Sequence, residues 1–160
     1  INVYADLDTS NYLKKSFSYC FNSFSNEYPA TLKLNRLKNN HSILNRKSKI
    51  DIKSIKVEHG KVKSNCFIIN KKLAYISDVN KIHNKDFKFF KNLKYLIIDC
   101  LRYNFHPSHF NLESTLNLIK LFRPKKSILT NLHTDLDYNI LKNRLPKNVV
   151  PAYDGLSINF

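Results

Sequence analysis

The chain has 160 residues, of which 42% are hydrophobic and 12% aromatic, so its composition excludes a disordered tail and fits a single domain over residues 1–160. No apolar run approaches the ~20 residues of a membrane span, and three widely spaced cysteines favour a reducing, cytoplasmic compartment over a disulfide framework. The net charge of +15 is spread along a chain rich in Lys, Asn and Ile, as biased codon usage would produce, so it leaves a nucleic-acid partner open without favouring it.

The first third of the chain has weak periodicity. Residues 1–5 (INVYA) are typical of a short strand. Residues 9–21 begin with a Thr/Ser cap and repeat apolar side chains at helical spacing, which predicts a helix. Residues 22–49 are polar and irregular, and we expect a short strand near 31–36.

The rest of the chain alternates strand and helix patterns, which predicts layered α and β structure. Strands are predicted by period-two alternation or by short buried apolar runs at residues 50–58, 66–70, 73–77, 95–100, 127–130 and 156–160. Helices are predicted at residues 83–91, 112–122 and 137–145. The helix at 112–122 has a capping residue, Asn111, before it and Pro124 after it.

Three candidate metal ligands each follow a predicted strand. His59 follows the strand 50–58, Asp78 the strand 73–77 and His133 the strand 127–130. Functional sites in layered α/β folds gather beyond the carboxyl ends of strands, and imidazole and carboxylate groups suit zinc or manganese. Alternatively, Asp78 caps the helix that follows it.

His106 and His109 lie in the segment HPSHF, which leads into a predicted helix N-terminus where anions are favoured. A histidine there could protonate a leaving-group oxygen or hold a phosphate oxygen. The alternative is a loop shaped by Pro107 whose histidines only cap the helix. Nearby, Asp135 and Asp137 could orient His133 or begin a helix.

Gly60 is one of only two glycines in the chain, and it directly follows His59. Glycine allows a positive φ or the close approach of another group, so the chain is expected to bend sharply after His59. An ordinary turn after a strand is the simpler interpretation.

Five segments, in this order, carry a resemblance to a known family: VEHG, AYISDVN, DCLRYNFHPSHFNLE, ILTNLHTDLDY and VPAYDGL. The chain resembles the C-terminal part of the metallo-β-lactamase-fold hydrolases, in the branch close to the phosphoribosyl cyclic phosphodiesterase of phosphonate utilisation. The resemblance implies an α+β fold, the αββα four-layer sandwich, here without its N-terminal part. It also implies a metal-dependent phosphodiesterase that acts on a small phosphodiester.

By matching motifs, the resemblance implies two divalent metal ions, zinc or manganese, in the full-length protein. His59 would bind the first ion, Asp78 would bridge both, and His133 would bind the second. His109 would be the catalytic residue that assists the leaving group, and His106 would contact the substrate. Hydrolysis would use metal-activated water.

The family signature H-x-H-x-D-H is absent from this sequence. We therefore expect the full-length protein to be a metallohydrolase and this chain alone to be a half-site without activity, because a catalytic zinc usually has three protein ligands. The alternatives are an RNA-processing nuclease of the same fold and a non-catalytic basic binding protein derived from it. Hydrolysis of another ester or thioester, and a homodimer, are left open by the sequence.

Overall fold

A computed structural model of the chain describes residues 1–23, 25, 27–45 and 48–160. The chain divides into two compact units, Ile1–His41 and Ser42–Phe160. The single domain expected from chain length stays a prediction. Positions 24, 26, 46 and 47 of the segment predicted to be irregular lie outside the described residues.

The first unit contains a two-stranded parallel sheet and two short helices. Strand β1 (Asn2–Ala5) pairs with β2 (Lys33–Arg36), and both agree with the predicted strands. Helices α1 (Leu7–Ser16) and α2 (Ser18–Phe21) lie between them in the chain.

The single helix predicted for 9–21 is therefore wrong at two points. Helix α1 starts earlier because the Asp6 carboxylate accepts a hydrogen bond from the Thr9 backbone N–H at 2.9 Å and caps it. The helix is interrupted at Phe17, whose φ of −131° and ψ of 37° are not helical.

The second unit is built on a seven-stranded sheet whose strands lie in chain order, with β3 beginning at the junction of the units. The strands are β3 (Asn40–Asn45), β4 (Ser48–His59), β5 (Val62–Ile69), β6 (Leu73–Ile76), β7 (Tyr95–Asp99), β8 (Lys126–Thr130) and β9 (Val149–Pro151). Strands β4, β5 and β6 are antiparallel, whereas β6 to β9 are parallel. Strand β4 therefore runs in the same direction as β6 to β9, and all five end at one edge of the sheet.

Three helical segments connect the later strands. A 3₁₀ helix (Asn84–Phe89) precedes β7, α3 (Leu112–Phe122) precedes β8, and α4 (Tyr138–Arg144) precedes β9. Helix α3 has the predicted bounds and the predicted cap, since the Asn111 side chain accepts a hydrogen bond from the Ser114 N–H at 3.0 Å.

The hydrophobic core joins this sheet to its helices. Phe122 of α3 is fully buried and stacks on Phe90, with ring centroids 5.3 Å apart, while Phe87 meets Phe122 edge-on at 5.1 Å. Phe87 lies in the segment 83–91 that was predicted to be helical, and this segment forms the 3₁₀ helix Asn84–Phe89.

The α+β class is confirmed, but the strands differ from the prediction in three places. Strands β3 and β9 were not predicted, and the strand predicted at 156–160 does not form. The segment 156–160 has the right alternation of side chains but pairs with no described strand. Among the described residues, no helix has the length and apolar character needed to cross a bilayer.

Candidate metal centre

The carboxyl ends of four strands bring polar side chains to one edge of the sheet. His59 is the last residue of β4, Asp99 is the last residue of β7, and Asp78 and His133 follow β6 and β8. Because β4, β6, β7 and β8 share one direction, these four residues meet at the edge where α/β folds place their sites.

Three side chains at this edge offer ligand atoms to a common point. One atom each of His59, Asp78 and His109 lies within 4.8 Å of the other two. His133, predicted as a ligand, lies outside this group, whereas His109, predicted to assist the leaving group, lies within it. The individual roles stay predictions.

The imidazole of His59 is fixed by a backbone carbonyl. Its Nδ1 lies 2.8 Å from the Ser108 oxygen, which can only accept a hydrogen bond. Nδ1 therefore carries the proton, and Nε2 is left with a free lone pair. This arrangement is typical of metal-binding histidines, whose second nitrogen donates to a carbonyl or carboxylate.

The imidazole of His109 is fixed by a buried carboxylate. Its Nδ1 lies 2.8 Å from Oδ2 of Asp99, whose side chain is 0% exposed. The same oxygen accepts weaker hydrogen bonds from the Val79 and Phe110 backbone N–H groups, both at 3.3 Å. Burial raises the pKa of Asp99, and the hydrogen bond from His109 opposes that shift by stabilising the carboxylate.

Gly60 allows the loop formed by residues 106–109 to pack closely against the end of β4. Its φ is +62°, and a Cβ at this position would lie 2.9 Å from the Cβ of Ser108. The Gly60 N–H donates to Asn80 Oδ1 at 2.9 Å, and the Asn80 amide donates to the Pro107 oxygen at 3.0 Å. The glycine thus provides both the expected bend and a close approach of the loop that anchors His59.

Asp78 is exposed at the same edge and is held from both sides. The Ser77 hydroxyl donates to its Oδ2 at 2.8 Å, and the Ser64 hydroxyl donates to its backbone oxygen. The 3₁₀ helix that follows has His83 at its N-cap position, so the alternative that Asp78 caps this helix is wrong.

His133 has a half-exposed side chain with a carboxylate partner. Its Nδ1 accepts a hydrogen bond from the Asp135 backbone N–H at 3.3 Å and lies 3.1 Å from Oδ1 of the same residue. Asp137 instead caps α4, where it accepts a hydrogen bond from the Ile140 N–H at 2.8 Å. The two acids of this segment therefore have the two different roles that the sequence left open.

His106 lies next to His109, with ring centroids 5.2 Å apart. Its Nδ1 is 3.3 Å from the Ser108 N–H, which can only donate, so Nδ1 accepts and Nε2 carries the proton. Partial burial and the nearby Arg102 charge lower the pKa of His106, which favours this neutral form. Because Asn111 caps α3, helix capping does not explain His106 or His109.

Asp99 is the site residue that the sequence analysis did not identify. Its position ends the apolar run YLIID, which was interpreted only as a buried strand. A carboxylate within such a run is itself a signal, because buried acidic groups are almost always paired.

Comparisons with known proteins agree with this architecture. Residues 1–131 match the family described as the Beta-lactamase superfamily domain, and the chain belongs to this family. No curated protein matches the sequence.

Several solved structures share the fold. A diphosphatase from the PhnP family superposes with a TM-score of 0.84 at 23% identity, covering 98% of this chain and 56% of that protein. Zn²⁺-bound PqqB from Methylobacterium extorquens superposes with a TM-score of 0.72 at 10% identity, covering 100% of this chain and 65% of that protein. Human tRNase Z, short form, superposes with a TM-score of 0.65 at 14% identity, covering 99% of this chain and 66% of that protein. The resemblance to metallo-β-lactamase-fold hydrolases and the predicted fold are confirmed, and the chain spans less than two thirds of each of these three proteins.

The donor set at the edge fits a divalent transition-metal ion. Because Nδ1 of His59 contacts the Ser108 oxygen and Nδ1 of His109 contacts Asp99, Nε2 is the ring atom that each histidine can offer to an ion beside the exposed carboxylate of Asp78. Nitrogen and carboxylate oxygen donors in this combination suit zinc and manganese.

Proposed function

We propose that this chain provides one edge of the active site of a metal-dependent hydrolase, and that its substrates are small phosphodiesters. The observation that carries the proposal is the group of His59, Asp78 and His109, in which both imidazoles are oriented through Nδ1. The whole protein would hold two divalent ions, zinc or manganese, with His59, Asp78 and His133 among their ligands.

The bound ions would supply Lewis-acid stabilisation of the charge that develops on the phosphoryl oxygens. In the whole protein, where other residues would complete the metal ligands, His109 would not bind an ion but would carry a proton on Nε2 and donate it to the leaving-group oxygen. Asp99 would hold the ring through Nδ1 and stabilise its protonated form, because the two atoms are 2.8 Å apart. His106 would donate a hydrogen bond from Nε2 to a phosphate oxygen.

The described ligand set is small for two ions. A catalytic zinc usually has three protein ligands and a bridged pair needs more, whereas His59, Asp78 and His109 form one group of three. We therefore expect the chain alone to bind one equivalent of Zn²⁺ weakly and to hydrolyse phosphodiesters slowly or not at all.

Zinc titration with two independent readouts tests the proposal. Calorimetry would give the stoichiometry and affinity, and ¹H–¹⁵N correlation of the imidazole nitrogens would identify the ligating atoms. We expect Zn²⁺ to shift Nε2 of His59 and to leave Nδ1 protonated. His59→Ala and Asp78→Ala should each weaken binding about 10-fold or more, since each removes a direct ligand.

His83→Ala is the matched control, because that imidazole also faces a carboxylate, Glu58, at 2.9 Å but lies outside the group of three. It should leave the zinc affinity unchanged. The ligand assignment would be wrong if all three variants bound zinc as the unmodified chain does, or if His83→Ala weakened binding as much as His59→Ala.

An RNA-processing nuclease of the same fold is the second candidate, favoured by the net charge of +15. The two activities are separated by assaying the metal-loaded whole protein on cyclic phosphodiesters and on transfer-RNA precursors. Cleavage of only the precursor would replace our proposal with the nuclease. A whole protein that binds no metal would favour the non-catalytic basic binding protein.

A further inference from the structure

The edge of the sheet opposite the candidate metal centre is lined by the segments that enter the parallel strands. Lys72 directly precedes β6, Lys94 directly precedes β7, and Lys125 directly precedes β8. The register pairs Leu73 with Tyr95 and Tyr95 with Lys126, so these three lysines occupy equivalent positions. Lys147 lies in the turn that leads into β9, two residues before Val149, which pairs with Ser127.

The row of Lys72, Lys94, Lys125 and Lys147 therefore lies at the entry to four adjacent strands, with Lys147 in the turn before the last of them. Neighbouring strands lie about 4.8 Å apart, so the backbones of Lys72 and Lys125, two strands apart, are separated by roughly 10 Å. Backbone hydrogen bonds hold the row together: the Tyr95 N–H donates to the Lys72 oxygen at 3.0 Å, and the Lys126 N–H donates to the Lys94 oxygen at 3.1 Å.

Further cations in the same connecting segments extend this row into a surface that we call the basic edge. Its eight members are all exposed: Lys71, Lys72, Lys91, Lys94, Arg123, Lys125, Lys126 and Lys147. The segments that carry them, residues 70–72, 90–94, 123–126 and 145–148, contain no Asp or Glu. Lys91 and Arg123 also line a cleft of about 660 Å³ together with Lys120.

Few acceptors neutralise this charge. In the part of the chain that the structure describes, none of the eight cations forms an ion pair. The Lys94 ammonium donates to the Asn159 carbonyl at 3.2 Å. Asp51, which lies near Lys71, is paired with Lys49 at 2.9 Å and accepts from the Ser42 hydroxyl at 2.6 Å.

The apolar side chains of these segments are turned inward. Phe90 is the one aromatic residue in the sequence of these segments, and it is buried together with Leu93, so the segments present no exposed ring on which a base could stack. Leu121, which lines the cleft with Lys91 and Arg123, is 47% exposed and is an apolar side chain beside this surface. Proteins that bind single strands usually combine basic grooves with exposed aromatics. A cationic row without them matches phosphates whose bases are already paired.

We propose that the basic edge binds the phosphate backbone of duplex nucleic acid, on the side of the sheet opposite the candidate metal centre. The contact is electrostatic and independent of sequence, and exposed amides such as Asn92 and Asn148 can add hydrogen bonds to phosphate oxygens. The inference does not depend on the proposed hydrolytic function, because the two edges share no residue.

Fluorescence anisotropy with labelled duplexes of about 20 base pairs, at salt concentrations from about 50 to about 200 mM, tests this proposal. The variant that removes the row is Lys72→Gln, Lys94→Gln, Lys125→Gln and Lys147→Gln combined. Each phosphate contact contributes about 0.9 to the magnitude of the slope of log affinity against log salt, so this variant should reduce that magnitude by about 3.6 and the affinity at least about 10-fold.

The matched control removes the same charge elsewhere in the same unit, by Lys61→Gln, Lys63→Gln, Lys85→Gln and Lys142→Gln combined. These lysines are also exposed. We expect the control to change the affinity less than about threefold, since the contact depends on local rather than net charge. DNA and RNA duplexes should bind with similar affinity, because the edge contacts only phosphates.

Equal weakening of duplex binding by the row variant and by the control would overturn the proposal, because it would show that binding depends on net charge alone. So would the absence of duplex binding by the unmodified chain. Binding to vesicles of phosphatidylserine in phosphatidylcholine, without binding to either duplex, would assign the basic edge to a membrane surface instead. Circular dichroism and thermal unfolding of both variants would show that the fold is retained.

Discussion

Gly60 combines a backbone conformation and a packing constraint that other residue types do not satisfy together. Its φ of +62° already disfavours a side chain, and a Cβ would lie 2.9 Å from the Cβ of Ser108. Because that Cβ is tied to the backbone, the loop itself would have to move. We expect Gly60→Ala to lower the free energy of unfolding by about 2–4 kcal/mol, as strain and overpacking add, and to weaken zinc binding through His59.

Gly155 is a suitable control, because it also has a positive φ, +90°, but a Cβ there would meet no atom within 4 Å. Gly155→Ala should cost only about 1–2 kcal/mol, from backbone strain alone, and leave zinc binding unchanged. Urea denaturation and zinc titration measure both quantities. Equal losses for the two variants would show that the contact with Ser108 has no energetic consequence.

Asp99 determines which nitrogen of His109 carries the proton. The Asp99→Leu substitution removes the acceptor of Nδ1 with a side chain of similar size, whereas asparagine would keep an oxygen there because the Val79 and Phe110 N–H groups donate to the same position. We expect the single Nδ1–H tautomer of His109 to become a mixture, visible in the imidazole ¹⁵N spectrum, and the stability to change by about 1–3 kcal/mol.

Thr115→Val separates the role of Asp99 at the histidine from its role in packing. The Thr115 hydroxyl donates to the Asp99 backbone oxygen at 2.7 Å and does not contact the imidazole. Loss of this hydrogen bond should lower the free energy of unfolding by about 1 kcal/mol and leave the His109 tautomer unchanged. An Asp99→Leu variant that kept one Nδ1–H tautomer would contradict the positioning role of the carboxylate.

Residues of the site differed in how far the sequence could reveal them. His59 and Asp78 follow clear strand patterns, so their convergence with other strand ends could be expected from topology alone. The link between His59 and Ser108 spans 49 positions and depends on loop geometry that no local pattern encodes. Asp99 was missed because its local context is that of a core strand.

At the scale of elements, helix α3 depends on its cap. Asn111 accepts a hydrogen bond from the Ser114 N–H at 3.0 Å, and its amide donates to the Tyr103 oxygen at 3.3 Å, which ties the helix to the preceding loop. Asn111→Ala should therefore lower the free energy of unfolding by about 1–2 kcal/mol.

Asn117→Ala is the comparison, because Asn117 is exposed in the middle of the same helix. Alanine has the higher helix propensity, so this change should be neutral or stabilising by about 0.5 kcal/mol. Thermal unfolding of both variants provides the measurement. A destabilisation by Asn117→Ala as large as that by Asn111→Ala would contradict the capping role.

The elements that the sequence predicted well are those whose stability is encoded locally. Helix α3 has a cap and a continuous apolar stripe, and strands β6 to β8 are short apolar runs between polar turns. Strand β9 contains Pro151 and only three residues, so it exists through its pairing with β8 rather than through its own pattern. The segment 156–160 shows the reverse case, in which alternation without a partner strand produces no strand.

At the scale of the whole molecule, folding brings together basic residues that are dispersed in the sequence. The lysines of the basic edge are separated by up to 76 positions in the sequence, between Lys71 and Lys147, and no segment forms a basic block. Parallel pairing of β6 to β9 brings them to one edge. From the sequence alone, lysines that reflect codon usage could not be distinguished from lysines that form a basic surface. The positions of these lysines depend on how four strands pair.

The two buried thiols of the second unit can report when its core unfolds. The Cys66 and Cys100 side chains are fully buried, and burial raises the pKa of each to about 12. The fraction of thiolate at pH 8 is then about one part in ten thousand, and both sulfurs are shielded from reagents. Cys20, in the first unit, is only partly buried.

We therefore expect native protein at pH 8 to take up one iodoacetamide per chain, at Cys20, and urea-unfolded protein to take up three. Since Cys66 and Cys100 belong to one core, pulsed labelling across a urea gradient should modify them in the same transition. The Cys20→Ser variant, which should remain unlabelled until that transition, is the control, and mass spectrometry of peptides assigns the sites. Modification of Cys100 before Cys66 would show that the strands bearing the candidate metal centre open separately from β5, and that the sheet is not one cooperative unit.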